Sequence, residues 1–175
     1  MDYPFYLKEF HSAVAKITEE RFETFGLKVN IDRVLESVAL KVYKPEWSGD
    51  VLSSLDSKGR IFFSIWINDK TIREGKMYYN IHALKLRELK NYSLSSRNFA
   101  QDFRNEFLKH KEDWPNLSLD FGPLTLLEGW FDLKDEYLQE DIIELVQKFL
   151  KVSFLIDKVL AQYKKKLRFS IFYKE

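Results

Sequence analysis

The chain has 175 residues, 45% hydrophobic and 31% charged, with 28 Lys/Arg, 27 Asp/Glu and a formal net charge of +1. That length and balance predict one soluble globular domain spanning residues 1–175, with a sizeable core rather than a disordered chain. Cysteine is absent, which excludes disulfides, cysteine-ligated zinc, iron–sulfur clusters and thiol catalysis.

Fifteen Phe, nine Tyr and four Trp supply more ring surface than a small core commonly holds, and most of it is expected inside. The first residues carry no basic stretch followed by an apolar one, so no signal peptide is expected. No run approaches the ~20 apolar residues of a membrane span. A cytoplasmic location is therefore expected, with no membrane partner. Charge is blocked along the chain. Residues 70–111 hold 10 Lys/Arg against 4 Asp/Glu, and residues 112–144 hold 1 against 10. Residues 145–175 hold 8 against 2. Such blocks read first as intramolecular complementarity or solvated faces.

In chain order, residues Phe5 to Phe25 have the three-to-four spacing of a helix (Leu7, Phe10, Val14, Ile17), with Gly26 as its stop. His11 lies beside that stripe and reads as a surface residue. Val38, Leu40 and Val42 alternate with Ala39, Lys41 and Tyr43, a strand that Pro45 is expected to end. Glu46 to Lys58 is the best loop candidate, and Trp47 within it is expected to fold back onto the core. The stretch Arg60–Arg87 predicts a long hairpin. Ile61, Phe63, Ile65 and Ile67 share one face, and Phe62, Ser64 and Trp66 the other. Across the turn, Met77, Tyr79, Ile81 and Ala83 share a face, opposite Tyr78, Asn80 and His82. Ser95 or Ser96 caps a helix bearing Phe99, Phe103 and Phe107, which Asp113-Trp114-Pro115-Asn116 breaks. Leu117–Phe121 and Leu124–Phe131 read as a second hairpin, with Gly129 marking a bulge or a close backbone approach.

A long helix is expected from about Asp135 to Lys164, acidic at its start and basic at its end, as the helix dipole favours. It has two apolar stripes. The second, Ile143, Leu150 and Phe154, suggests a homodimer through that helix. Leu167–Tyr173 closes the chain as a strand. The fold expected is α+β: a mixed or antiparallel sheet of about five to six strands, packed against an N-terminal helix, a middle helix and the long C-terminal one.

No phosphate-binding loop, dinucleotide fingerprint, zinc-protease helix or serine-hydrolase elbow is present. Three constellations remain. Asp120 with Asp132-Leu133-Lys134 loosely resembles the PD-(D/E)XK nuclease pattern, which would make Asp120 and Asp132 ligands of Mg²⁺ and Lys134 an aid to the attacking water. Leu119 stands where that pattern has proline, and Asp132 is also an ordinary strand-end or helix-cap residue. The face of Tyr78, Asn80 and His82, joined by Trp66 and Tyr43, reads first as half-buried with its polar groups satisfied internally. If no helix covers it, it is a platform for stacked bases or the wall of a small-ligand pocket. His82 has no ligand partner at metal spacing, so no metal is expected there. Lys164-Lys165-Lys166-Leu167-Arg168 could touch phosphates but is accounted for by the helix dipole. The expectation from sequence is a non-enzymatic ligand-binding or protein-interaction domain without a cofactor; nucleic acid is not the expected partner. The alternative is the Mg²⁺-dependent nuclease.

Overall fold

Period-two alternation produces five strands: β1 (Lys28–Val34), β2 (Ser37–Ser48), β3 (Arg60–Asn68), β4 (Lys76–Leu84) and β5 (Thr125–Asp132). Each pairs antiparallel with its neighbour in sequence, giving one sheet in the order β1-β2-β3-β4-β5. The structure is a computed structural model that describes residues 1–165. The expected strand Leu167–Tyr173, with Lys166 and Arg168, lies outside those residues.

The helices are α1 (Tyr3–Ala15), α2 (Glu19–Thr24), α3 (Asp69–Arg73), α4 (Ser96–Phe107), α5 (Leu138–Val152) and α6 (Phe154–Gln162). The protein is thus α+β, as expected. Asp2 caps α1 by accepting from the Phe5 amide, and Ser95 caps α4 by accepting from that of Asn98. Between β3 and β4 the turn is a single helical one, α3, closed by a reciprocal cap between Asn68 and Thr71.

The core lies between the helices and one sheet face. Val38, Leu40 and Val42 on β2, Ile61, Phe63, Ile65 and Ile67 on β3, and Met77, Tyr79, Ile81 and Ala83 on β4 are all buried there. From the helices come Phe10, Phe99, Phe103, Phe107, Ile142, Val146 and Phe149. At the centre the rings of Phe63 and Phe149 stack 4.5 Å apart and 6° from parallel. Trp47 is 1% exposed and folds back as expected. Its Nε1 donates to Asp157 at 2.7 Å, and Lys44 binds the other oxygen of that carboxylate at 2.6 Å.

Several expectations are corrected. The N-terminal helix is two helices, because Thr18 is extended and starts α2 with Glu19 and Glu20 in its first turn, an N-terminal signal inside the apolar stripe. Strand β1 was not anticipated. Its Val29 and Ile31 are half-buried while its other residues are polar or at the edge. The tight turn to β2 uses Leu35 at φ +55°, a position where a hairpin signal would be glycine or asparagine. Strand β2 runs through Pro45, where pairing with β3 shifts register between Tyr43 and Ser48; a bulge has no ladder bond for proline to remove. Leu117–Phe121 is not a strand. It contributes one bridge, Ser118 to Glu128, and Arg104 takes up the carbonyls of Phe121, Gly122, Thr125 and Leu126 at 2.8–3.0 Å.

The long C-terminal helix is broken at Ser153 between α5 and α6. The stripe assigned to a dimer is also interrupted. Leu150 is 1% exposed within this chain's own core, whereas Phe154 is 50% exposed and Ile143 half-buried. No helix among the described residues is long and apolar enough to cross a membrane. Nor does any ion pair among them join the basic block 70–111 to the acidic block 112–144.

Candidate functional site

Because side chains alternate across a strand, the residues between the core positions must point away from the helices. Register assembles them into three rows across the sheet. One row is Ala39, Trp66, Tyr78 and Trp130. The next is Lys41, Ser64, Asn80 and Glu128. The third is Tyr43, Phe62, His82 and Thr125. The contacts of this face go to its own strands, to Ser57 in the loop before β3, to Glu74 after α3 and to Leu124 before β5. No helix packs over it among the described residues.

The rows make a trough. Trp66 and Tyr78 stack with centroids 5.1 Å apart and 21° between planes, forming one wall. Phe62 and His82, 5.4 Å apart, form the other. Between them Ser64 and Asn80 are short, so the rings shade them to 4% and 2% exposure although no helix among the described residues lies above. The floor is hydrogen-bonded along its length: Ser64 Oγ donates to Asn80 Oδ1 at 2.6 Å, and Asn80 Nδ2 donates to Glu128 Oε2 at 3.3 Å. The groove has a volume of about 410 Å³ and reaches Val34 and Leu35 at the β1–β2 turn. That size is in the range of ligand sites.

Charge is uneven along it. Lys41 and Arg60 flank the Phe62 ring, and Lys76 lies 4.2 Å from the centroid of Trp130. Burial first, and then the neighbouring Arg60, lowers the Lys41 pKa from its ordinary value. Burial likewise lowers that of His82, with the Leu124 carbonyl opposing the shift. His82 is accordingly neutral at pH 7. With its proton on Nδ1 it donates to Leu124 O at 3.3 Å, leaving Nε2 as an acceptor.

A pH dependence follows. The unfolded chain binds a proton on His82 near the ordinary pKa of 6.5 and the folded chain only at lower pH. Stability from this residue is therefore fully present above 6.5 and lost as pH falls through the lowered value. Comparing melting temperatures of wild type and His82→Gln between pH 8 and pH 5 tests this, on the order of the window in which histidine titrates. The wild type should lose more stability on acidification than the variant. Equal losses would refute the account.

All five residues anticipated for a ligand face are on this side of the sheet by register, but they do not share one site. Trp66, Asn80 and His82 line the groove, Tyr78 stacks on Trp66, and Tyr43 lines a separate hollow with Glu19, Phe22 and Glu23 of α2. The expected internal satisfaction is also present, since Asn80 and His82 have protein partners. Sequence reasoning did not select Lys41, Arg60, Glu128 and Trp130. Their parity with Tyr43, Trp66 and each other was the available signal.

The nuclease candidates are not brought together. Asp120 lies two residues past the Ser118–Glu128 bridge, near Arg104, whereas Asp132 ends β5 opposite Lys76. Asp132 and Lys134 share a hollow with Tyr137 and Asp141. Among the described residues no three His, Cys, Asp or Glu side chains are grouped to hold a metal ion.

Fold and site together define an α+β protein whose helices cover one face of an antiparallel meander and leave an aromatic, polar face open among the described residues. No family model matches the chain, and no curated protein or solved structure matches it.

Proposed function

We propose that the protein is a binding module, not an enzyme, and that the uncovered sheet face is its ligand surface. The observation that carries this is the division of the tryptophans. Trp47 and Trp114 are buried, whereas Trp66 and Trp130 stand half-exposed on one face, beside Tyr78 and a polar floor. Rings kept out of the core and set in a row offer flat apolar area with hydrogen-bonding groups between them, the composition of a ligand site.

The test is a thermal-shift series with oligonucleotides, mononucleotides and soluble oligosaccharides, run on wild type and on Trp66→Ala/Tyr78→Ala. A ligand at about 100 times its Kd adds about 2.7 kcal/mol, or about 5–10 °C in a chain of this size. One class should raise the melting temperature of the wild type and not of the double variant. A shift that survives the double substitution places binding elsewhere and overturns the proposal, as does the absence of any shift.

A further inference from the structure

One end of the trough is basic, with Asp32 and Asp56 near enough to Lys41 to oppose its charge in part. Lys41 Nζ lies 5.2 Å and Arg60 Cζ 5.7 Å from the same ring centroid, that of Phe62. Among the described residues neither cation forms an ion pair. Arg60 Nε is also the one buried side-chain nitrogen or oxygen among them without a hydrogen-bond partner. A buried charged donor without an acceptor is unfavourable, and native structures seldom leave one. Two like charges over one ring add repulsion. An anion seated between Lys41 and Arg60 would relieve that repulsion.

The geometry points to single-stranded nucleic acid as the ligand of this face, a proposal that rests on the binding-module reading above: backbone phosphates meet Lys41 and Arg60, and bases lie against the half-exposed rings of His82 and Trp66, Phe62 being buried beneath the cations. His82 pairs with Phe62, four residues from Trp66 along the strands, so the two rings are separated by roughly 13 Å at about 3.3 Å per residue. A free nucleotide has one base and cannot fill both walls, whereas a strand can. At the end of the floor the half-exposed Glu128 offers carboxylate acceptors to the amino groups of base edges, which a single strand exposes and a duplex does not. Stacking on rings beside a cationic track is the general means of holding single strands. The carboxylates on this face, Asp32, Glu128 and Asp132, belong by register to the outer strands β1 and β5. They confine the path to the inner strands and keep the footprint short.

The experiment is fluorescence anisotropy of a labelled oligouridylate of about ten nucleotides with the full chain, repeated over a salt series. Each phosphate contact on a single strand contributes a slope of about −0.7 to log K against log salt, so two contacts give about −1.4. Lys41→Gln and Arg60→Gln should each bring the slope to about −0.7. Trp66→Ala should weaken binding about tenfold and leave the slope unchanged. Lys165→Gln, remote from the trough, should change neither. Arg60→Gln also loses the bond from Arg60 to the Ser57 carbonyl. Lys41→Gln loses no such bond, so it keeps the test valid if the Arg60 variant folds poorly. An absent anisotropy change at low salt, a slope that neither variant moves, or equal competition by a duplex or by uridine monophosphate would overturn the assignment. If an oligosaccharide binds through Trp66 and Tyr78 and the oligonucleotide does not, the nucleic-acid assignment falls and the binding module stands.

Discussion

Replacing Phe149 by alanine is expected to cost about 3–5 kcal/mol, the range for emptying a large aromatic site in a core. Phe149 is 0% exposed. It lies between the ring of Phe63, stacked at 4.5 Å, and that of Trp47, edge-on at 6.4 Å. The loss therefore includes the transfer of the side chain and an aromatic pairing of about 0.5–1.5 kcal/mol beyond burial. Collapse into the cavity is restricted, because β3 is paired on both sides and Trp47 is tied to Asp157. At about 2–4 °C per kcal/mol for a chain of this size, the melting temperature should fall on the order of 10 °C. Phe149→Leu should lose less, since it refills part of the volume. Urea unfolding of the three proteins measures the difference. A loss below about 1 kcal/mol for the alanine variant would mean that this stack is not the centre of the core.

Gly129→Ala should destabilise even though the substitution ordinarily helps a strand. At a backbone that alanine can adopt, replacing glycine gains about 0.4–1 kcal/mol by restricting the unfolded chain. Gly129 is not among the positive-φ glycines, so that gain is available in principle. Sterics oppose it: a Cβ there would lie 2.2 Å from Tyr79 Oη and 2.4 Å from Cζ. The ring cannot step aside. Tyr79 is 0% exposed, its hydroxyl donates to Pro115 O at 2.6 Å, and Trp114 and Phe131 lie against it. Burial also pushes the hydroxyl pKa up, so it remains a donor at neutral pH. Overpacking of this kind costs about 1–3 kcal/mol, enough to reverse the sign. Tyr79→Leu removes the obstructing ring atoms, so Gly129→Ala should cost less in that background, a coupling of about 0.5–3 kcal/mol. Additive losses in the double-variant cycle would show that the close approach is not the cause.

Legibility in the sequence followed the strength of local signals. The β3–β4 hairpin was readable to its faces, because Ile61 to Ile67 and Met77 to Ala83 alternate over long runs. Ser95 and the Phe99, Phe103, Phe107 stripe marked α4 for the same reason. Gly129 was readable as a bulge or a close approach, and the structure makes it the second, against Tyr79. Strand β1 was not, since half of its side chains are polar edge residues and its turn uses Leu35 where glycine is usual. The break at Ser153 was hidden because the apolar period continues through it. Leu150 looked free for a partner because periodicity does not say which neighbour covers a stripe.

The candidate site divides in the same way. The alternation in β4 sets Tyr78, Asn80 and His82 on one face and Met77, Tyr79 and Ile81 on the other, since the pleat of a strand is a local property of the backbone. Whether a helix lies over that first face is a matter of packing between segments far apart in the chain. So is the meeting of Lys41 with Arg60 over Phe62, which depends on the register of β2 against β3. Local chemistry therefore specified which side chains share a surface, and long-range packing specified that the surface is open among the described residues and where its charge collects.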